Sequence, residues 1–295
     1  MKKIVFAVLC LALIVVGLAL TIGDVNAQPT GDAATTATGG RLYDKWWKVA
    51  PGAKEPTEDH PLWATQTTNK LTGKDTWRCK ECHGWDYKGV DGVYGSGSHK
   101  TGFPGVFSAG QSKTVAELEA ILKGSADPKH DFSTVMDAAS ITALATFLKE
   151  GLIDESKYVD ASNKQPIGGD ATRGKAKFDG TCAACHGATG TDLNFGSDDE
   201  PEFVGTVAKG NPWEFLNKGR FGQPGAKMPA TIELGWKVED VVDVLAYAQT
   251  LPTEAPKALP TTGGTRTGIP LIATGALGLL LLAAGVWLQR RARSV

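Results

Sequence analysis

Cys182-Ala183-Ala184-Cys185-His186 is the stretch around which the rest of the sequence is organised. An earlier stretch, Cys79-Lys80-Glu81-Cys82-His83, repeats its two cysteines and its histidine at the same spacing. Residues i and i+3 lie on the same face of a helix, so each stretch presents two thiols side by side, followed by an imidazole. The repetition indicates that the chain contains the same kind of site twice.

The C-x-x-C-H spacing predicts covalent attachment of a c-type haem, with the thiols joined to the vinyl groups and the histidine bound to the iron. A structural zinc site would need a second Cys pair about 15–20 residues away, or two histidines, and a thioredoxin-like pair needs a βαβ context. Neither pattern is present in the sequence. We therefore predict two covalently bound haem c groups. The predicted thioether residues are Cys79, Cys82, Cys182 and Cys185, and the predicted proximal iron ligands are His83 and His186.

The composition and the cysteine count indicate a protein without disulfides. The 295 residues allow about two domains. The net charge of −1, with Lys and Arg spread among Asp and Glu, gives no indication of a nucleic-acid partner. Of the five cysteines, only Cys10 lies outside the two motifs, in an apolar N-terminal run. The haems are therefore expected to stabilise two small domains where secreted proteins often use disulfides.

The N-terminus has the three regions of a signal peptide. Lys2 and Lys3 precede an apolar run over residues 4–20, and Val25-Asn26-Ala27 forms a small-residue cleavage site. We predict a signal peptide over residues 1–27. The alternative, a retained N-terminal anchor, is disfavoured because the run is short for a bilayer span of about 20 residues. The Gly/Thr-rich residues 28–40 are predicted to be a flexible linker.

An amphipathic helix is predicted at the end of each half. The apolar positions that define it recur at i, i+3, i+4 and i+7. They are Ile141, Leu144, Ala145 and Leu148 in the first half, and Val241, Val244, Leu245 and Ala248 in the second. Because these stripes, like the Cys pairs, lie about a hundred residues apart, we infer an internal duplication. The predicted domains span residues 41–160 and 171–252, joined by a linker over 161–170.

Each half resembles a class I-like cytochrome c domain. The resemblance rests on Cys-x-x-Cys-His-Gly and the final amphipathic helix in both halves. In the second half it also rests on a first helix over Arg173 to Phe178 and on Lys227-Met228-Pro229. It implies an all-α fold of two tandem haem domains and a role in electron transfer. It also implies that Met228 is the sixth ligand of the second haem.

The first half departs from this pattern. Aligning the two final helices places Pro128 opposite Met228, and the nearest residue able to bind iron is His130. We predict His130 as the sixth ligand, with Met136, His99 or an open position as alternatives. Methionine ligation raises a haem potential relative to bis-histidine ligation. The first haem is thus expected to be the low-potential entry point for electrons and the second the high-potential exit.

The sequence of the carboxyl end predicts that the protein is attached to the cell membrane or the cell wall. A linker over residues 253–268 contains Leu259-Pro260-Thr261-Thr262-Gly263, which resembles the L-P-x-T-G sorting signal of Gram-positive surface proteins. Residues 269–288 are apolar and long enough to span a bilayer, and residues 289–295 form a basic tail. We predict a transmembrane helix that leaves the haem domains outside the cytoplasm. Sortase cleavage after Thr262 would leave the protein on the cell wall, and without cleavage the helix would be a permanent membrane anchor.

These features together predict an electron carrier that passes single electrons between a redox protein donor and an acceptor on the outer side of the membrane. The rival interpretation is a haem enzyme, or the cytochrome subunit of a dehydrogenase, whose first haem keeps an open or displaceable position. No other catalytic constellation is visible in the sequence.

Overall fold

A computed structural model describes residues 31–255. Its regular structure is helical, and over this range the extended chain forms only three isolated β-bridges rather than strands. The all-α prediction is therefore confirmed for the described residues. None of the helices between residues 31 and 255 is long and apolar enough to cross a membrane. The predicted signal peptide, the predicted transmembrane helix over 269–288 and the basic tail lie outside the described range.

Within the described residues, the first half contains five α-helices. They are α1 (Gly31–Lys45), α2 (Cys79–His83), α3 (Phe107–Ser112), α4 (Val115–Leu122) and α5 (Ala138–Thr146), the last continued by a π-helical turn over Phe147–Gly151. Short 3₁₀ turns occupy Trp46–Lys48, Trp63–Thr65, Gly73–Trp77, Val93–Gly95, Pro128–His130, Phe132–Thr134 and Glu155–Lys157.

The second half, as far as residue 255, also contains five α-helices. They are α6 (Ala171–Lys177), α7 (Ala183–His186), α8 (Val204–Gly210), α9 (Pro212–Phe221) and α10 (Val238–Ala248), with a π-helical turn over Phe178–Cys182 between α6 and α7. Helix α6 packs most extensively against α10. The predicted linker over residues 161–170 contains no helix, and its Lys164 donates a hydrogen bond to the carbonyl of Gly210 at 2.7 Å.

The two final helices form where the apolar stripes predicted them. Helix α5 begins after Asp137, whose carboxylate accepts a hydrogen bond from the Ser140 amide at 2.8 Å and so caps the helix. All the stripe residues are buried, including Ile141 in α5 and Leu245 in α10, both with no exposed surface. The stripes face the protein interior in both halves, as the 3.6-residue period requires.

Helix α1 overturns part of the predicted linker. Residues 31–40, predicted to be a flexible tether, are the first ten residues of this helix. Alanine favours helix, and Thr36 and Ala37 are buried against the rest of the fold. The glycines and threonines that predicted a flexible tether instead allow this helix to pack closely against the rest of the fold.

Two adjacent glycines let α1 lie against both halves. A Cβ atom on Gly39 would be 2.1 Å from the carbonyl oxygen of Ala143 in α5, and one on Gly40 would be 2.3 Å from the ring of Phe221 at the end of α9. Since only glycine lacks this atom, the two residues permit backbone approaches that no other residue would allow. Helix α1 therefore joins the first half to the second.

Candidate haem sites

The first motif lies on a single helical turn. Helix α2 begins directly after Arg78, which is extended, and ends at Gly84, whose φ of 78° favours glycine. The turn brings the Cys79 and Cys82 thiols to one face, where both border the same cavity. Burial raises the pKa of Cys79 to about 12, so this thiol is protonated at neutral pH.

The cavity beside α2 holds roughly 380 Å³ of space, part of it open to solvent. Its wall is mainly aromatic and apolar. The wall also contains imidazoles, which can bind a metal, and thiols, which can form thioethers. The lining residues are His60, Leu62, Thr76, Trp77, Arg78, Cys79, Cys82, His83, Phe103, His130 and Phe132. Two thiols and several imidazoles around an apolar cavity fit a covalently attached haem.

His83 is oriented as an iron ligand would be. Its Nδ1 lies 2.7 Å from the carbonyl oxygen of Pro104, so Nδ1–H donates and the lone pair stays on Nε2. Metal-bound histidines commonly make this outer hydrogen bond. Burial lowers the pKa of His83 to about 4, which keeps the imidazole neutral and able to bind a metal.

His130 faces the same cavity from a different part of the chain. It ends the 3₁₀ turn over Pro128–His130, which Asp127 caps by accepting a hydrogen bond from the Lys129 amide at 2.8 Å. Its Nδ1 lies 3.4 Å from the carbonyl oxygen of Ile121, which again leaves Nε2 free. Burial lowers the pKa of His130 as well.

The separation of these two rings would allow both imidazoles to bind one metal ion. The ring centroids of His83 and His130 are 6.3 Å apart. Two imidazoles on opposite sides of one ion are expected to have centroids about 6 Å apart, because each metal–nitrogen bond is about 2 Å long. The first half thus brings together Cys79, Cys82, His83 and His130.

The other two predicted alternatives lie elsewhere. Met136 is buried in the hydrophobic core with 5% of its surface exposed. His99 stacks on Tyr94 and its Nδ1 lies 3.1 Å from a carboxylate oxygen of Glu81. Neither residue lines the cavity.

His60 is a cavity residue that sequence reasoning missed. Its ring centroid lies 6.3 Å from that of His130, which is also the distance between the rings of His83 and His130. Burial, followed by the nearby His130 and His83, lowers its pKa to about 4. It precedes the Cys-x-x-Cys-His motif and belongs to no motif itself. The one available signal was that His60 is one of only five histidines in the chain.

Five tryptophans lie near the first motif in the sequence: Trp46, Trp47, Trp63, Trp77 and Trp85. Trp77 lines the cavity, and the ring of Trp46 packs against it with the two centroids 6.0 Å apart. Trp85 lies outside the cavity wall, with the ammonium groups of Lys80 and Lys218 at 5.4 and 5.5 Å from its ring. The tryptophans near the first motif therefore belong partly to the general hydrophobic core and partly to the cavity wall.

A buried carboxylate anchors the first motif to both halves. Asp44, at the end of α1, has no exposed surface and accepts hydrogen bonds from Arg78 and from Lys218 of α9. Burial alone would raise the pKa of Asp44, but the two cations outweigh it and lower the pKa from 3.8 to about 2. Since Arg78 directly precedes Cys79, this cluster fixes the entry to α2.

The second motif begins at Cys182, the last residue of the π-helical turn, and continues through α7. Cys182 is half-buried and Cys185 is exposed, and the helix ends at Gly187 with a φ of 73°. The ring of His186 lies 5.6 Å from that of Phe195, and burial lowers the pKa of His186. Its buried Nδ1 has no hydrogen-bond partner among the described residues. This histidine therefore lacks the outer hydrogen bond that orients His83.

Met228 lies in the irregular segment between α9 and α10 and is half-buried. Its carbonyl oxygen would be 2.6 Å from a Cβ atom on Gly222, whose φ is 83°. The chain therefore turns back sharply after α9 and brings the Met228 segment against the end of that helix. The pairing of Met228 with His186 remains a prediction from the sequence.

One comparison with known protein families matches the part of the chain that contains the second motif. Residues 171–252 match the family model for cytochrome c. No curated protein and no solved structure matches the sequence significantly. The family match starts with α6, includes Cys182, Cys185, His186 and Met228, and ends just after α10. It supports a c-type cytochrome, that is, an electron-transfer protein with covalently bound haem c.

Proposed function

We propose that this protein is a dihaem c-type cytochrome that carries single electrons and performs no substrate chemistry of its own. The observation that carries the proposal is the first cavity, where two thiols of one helical turn lie beside two imidazoles whose centroids are 6.3 Å apart. The second haem is supported by the cytochrome c family match over residues 171–252.

In this proposal haem iron supplies a one-electron Fe(III)/Fe(II) couple at each motif. Cys79 and Cys82 hold the first haem, and His83 and His130 bind its iron. Both histidines are kept neutral by burial and oriented by backbone carbonyls. The residues proposed for the second haem are Cys182, Cys185, His186 and Met228.

The different sixth ligands give the proposed electron path a direction. A thioether is a weaker donor than an imidazole and favours ferrous iron, so the second haem takes the higher potential. Electrons then enter at the first haem from a redox protein donor and leave from the second to an acceptor. The exported location and the membrane or wall attachment are proposed from the sequence of the two chain ends, with sortase as the candidate processing enzyme.

Haem stoichiometry tests the dihaem proposal. The intact wild-type protein is expected to carry two haems per chain by pyridine haemochrome assay and by mass, and the double variant Cys79→Ala/Cys82→Ala is expected to carry one. One haem in the wild type, or no loss in the double variant, would contradict a haem at the first motif.

The sixth ligand of the first haem is tested by His130→Ala, with His99→Ala as the matched control. His130→Ala is expected to convert one haem to a high-spin form that binds carbon monoxide, whereas His99 lies outside the cavity and its loss should leave the spectrum low-spin. An unchanged low-spin spectrum in His130→Ala would exclude it as the ligand. Carbon monoxide binding by the wild-type first haem would instead favour the enzyme alternative.

A further inference from the structure

His60 forms part of the wall of the first cavity beside the two proposed iron ligands. Its side chain is rigidly held, since its ring stacks on Phe132 at 5.5 Å and meets the edge of Trp77 at 4.5 Å. The residue is only 6% exposed, and its backbone amide donates to the Thr76 hydroxyl at 2.8 Å. This imidazole therefore has a fixed position and a fixed orientation.

The hydrogen bond at Nδ1 sets the tautomer of His60. The Leu62 amide lies 3.1 Å from this atom, and a backbone N–H can only donate. Nδ1 must therefore offer its lone pair, and the proton of the neutral ring is on Nε2. The same bond disfavours His60 as an iron ligand, because a ligating Nε2 would need its own lone pair.

The other polar side chains of the cavity wall already have partners. The Thr76 hydroxyl donates to the Gly73 carbonyl at 2.7 Å, the Trp77 indole donates to the Glu58 carbonyl at 2.8 Å, and Arg78 pairs with Asp44. His83 and His130 use Nδ1 for backbone carbonyls, as described above. The Nε2–H of His60, by contrast, has no acceptor among the described residues that line this cavity.

The free Nε2–H of His60 indicates which kind of group should lie next to it in the cavity. An N–H that faces an apolar surface without an acceptor is destabilised, so a group that fills this cavity is expected to offer one. A haem presents a hydrocarbon face and edge together with two carboxylates, its propionates. We propose that the Nε2–H of His60 donates a hydrogen bond to a propionate of the first haem. The inference rests on the proposed function, since it requires a haem at Cys79 and Cys82.

The role that follows for His60 is to tune the potential of the first haem without binding its iron. A negative charge near the iron stabilises the ferric state, and a hydrogen bond to a carboxylate spreads and weakens that charge. His60 therefore favours ferrous iron and raises the potential of a haem that bis-histidine ligation makes low. It is a positioning and tuning residue.

The test uses the full-length holoprotein with His60→Phe and His60→Gln. In His60→Phe we expect the first haem to shift several-fold toward the ferric form at a fixed ambient potential, where a tenfold shift is 59 mV for one electron. The propionate bending band in the resonance Raman spectrum should also move, while the visible spectrum stays low-spin. Glutamine keeps an N–H donor and should restore part of both signals. His99→Phe, which alters a histidine outside the cavity, should change neither.

Two outcomes would overturn the inference. An unchanged potential and propionate band in His60→Phe would mean that no such hydrogen bond exists, and a high-spin spectrum would make His60 an iron ligand instead. Should both variants fail to fold, the propionate band of the wild type in deuterated water tests the same bond, and an unchanged band would refute it. Failure of the proposed function is recognised separately, by a wild-type protein with no haem at the first motif.

Discussion

Replacing Asp44 with asparagine is expected to be among the most destabilising polar changes in the described part of the chain. The carboxylate is fully buried and pairs with two cations, Arg78 and Lys218, whose side chains are 12% and 14% exposed. Removing one partner of a buried ion pair costs about 3–5 kcal/mol, because the remaining charge stays buried without compensation. Here two cations are left, so we expect a loss within or above that range at pH 7.

The pH dependence of stability gives a second estimate of the same interaction. The folded state lowers the pKa of Asp44 from 3.8 to about 2, which corresponds to roughly 2 kcal/mol of stability. Because the folded pKa is the lower one, this stability is fully present above about pH 4 and is lost as the pH falls toward 2. The value is smaller than the cost of substitution because protonation leaves a hydrogen-bonding group in place.

Urea denaturation of the holoprotein, followed by far-ultraviolet circular dichroism, measures both effects. The control is Glu55→Gln, which removes an exposed carboxylate that also pairs with two lysines, Lys48 and Lys74. Exposed ion pairs contribute little, so this variant should unfold close to the wild type. The reasoning is refuted if Asp44→Asn loses less than about 1 kcal/mol at pH 7, or if the stability of the wild type does not fall between pH 4 and 2.

Three further results are expected. Gly39→Ala should lose about 1–3 kcal/mol in the same denaturation assay, because its Cβ would overlap the Ala143 carbonyl, whereas Gly210→Ala, with nothing within 4 Å of the added atom, should not be destabilising. Met228→Ala should make the second haem high-spin and able to bind carbon monoxide while the first stays low-spin, and a fully low-spin spectrum would exclude Met228 as its ligand. Mass spectrometry of the mature carboxyl terminus should end at Thr262 if sortase acts, and an intact Arg291 peptide would show a retained tail.

The parts of the fold that the sequence predicted are those encoded locally. The stripe through Ile141 and Leu144 repeats at the helical period and is capped by Asp137, so helix α5 could be predicted without any knowledge of its neighbours. The placement of His130 beside the first motif followed from comparing the two halves of one chain. Its orientation depends on the carbonyl of Ile121, which no spacing rule specifies.

The parts that escaped prediction depend on contacts distant in sequence. Gly39 and Gly40 indicate a flexible tether by composition, yet they allow α1 to approach Ala143 and Phe221, one of them in each half of the chain. His60 escaped for a related reason, because its place in the cavity is set by Phe132 and by the 3₁₀ turn at Gly73–Trp77. Periodicity and motif spacing are local measures and carry no information about either contact.

The position of α1 also determines how well the protein should tolerate changes in length of the linker between the halves. Helix α1 touches α5 through Gly39, the end of α9 through Gly40, and Lys218 through Asp44. This packing holds the two halves, and with them the two Cys-x-x-Cys-His motifs, together independently of residues 161–170, which make contacts of their own, such as that from Lys164 to the Gly210 carbonyl. In a chain with a haem on each motif, a few residues inserted in that linker should leave the rate of electron exchange between the haems unchanged. A bulky side chain at Gly39 or Gly40 would alter the distance that the electron crosses.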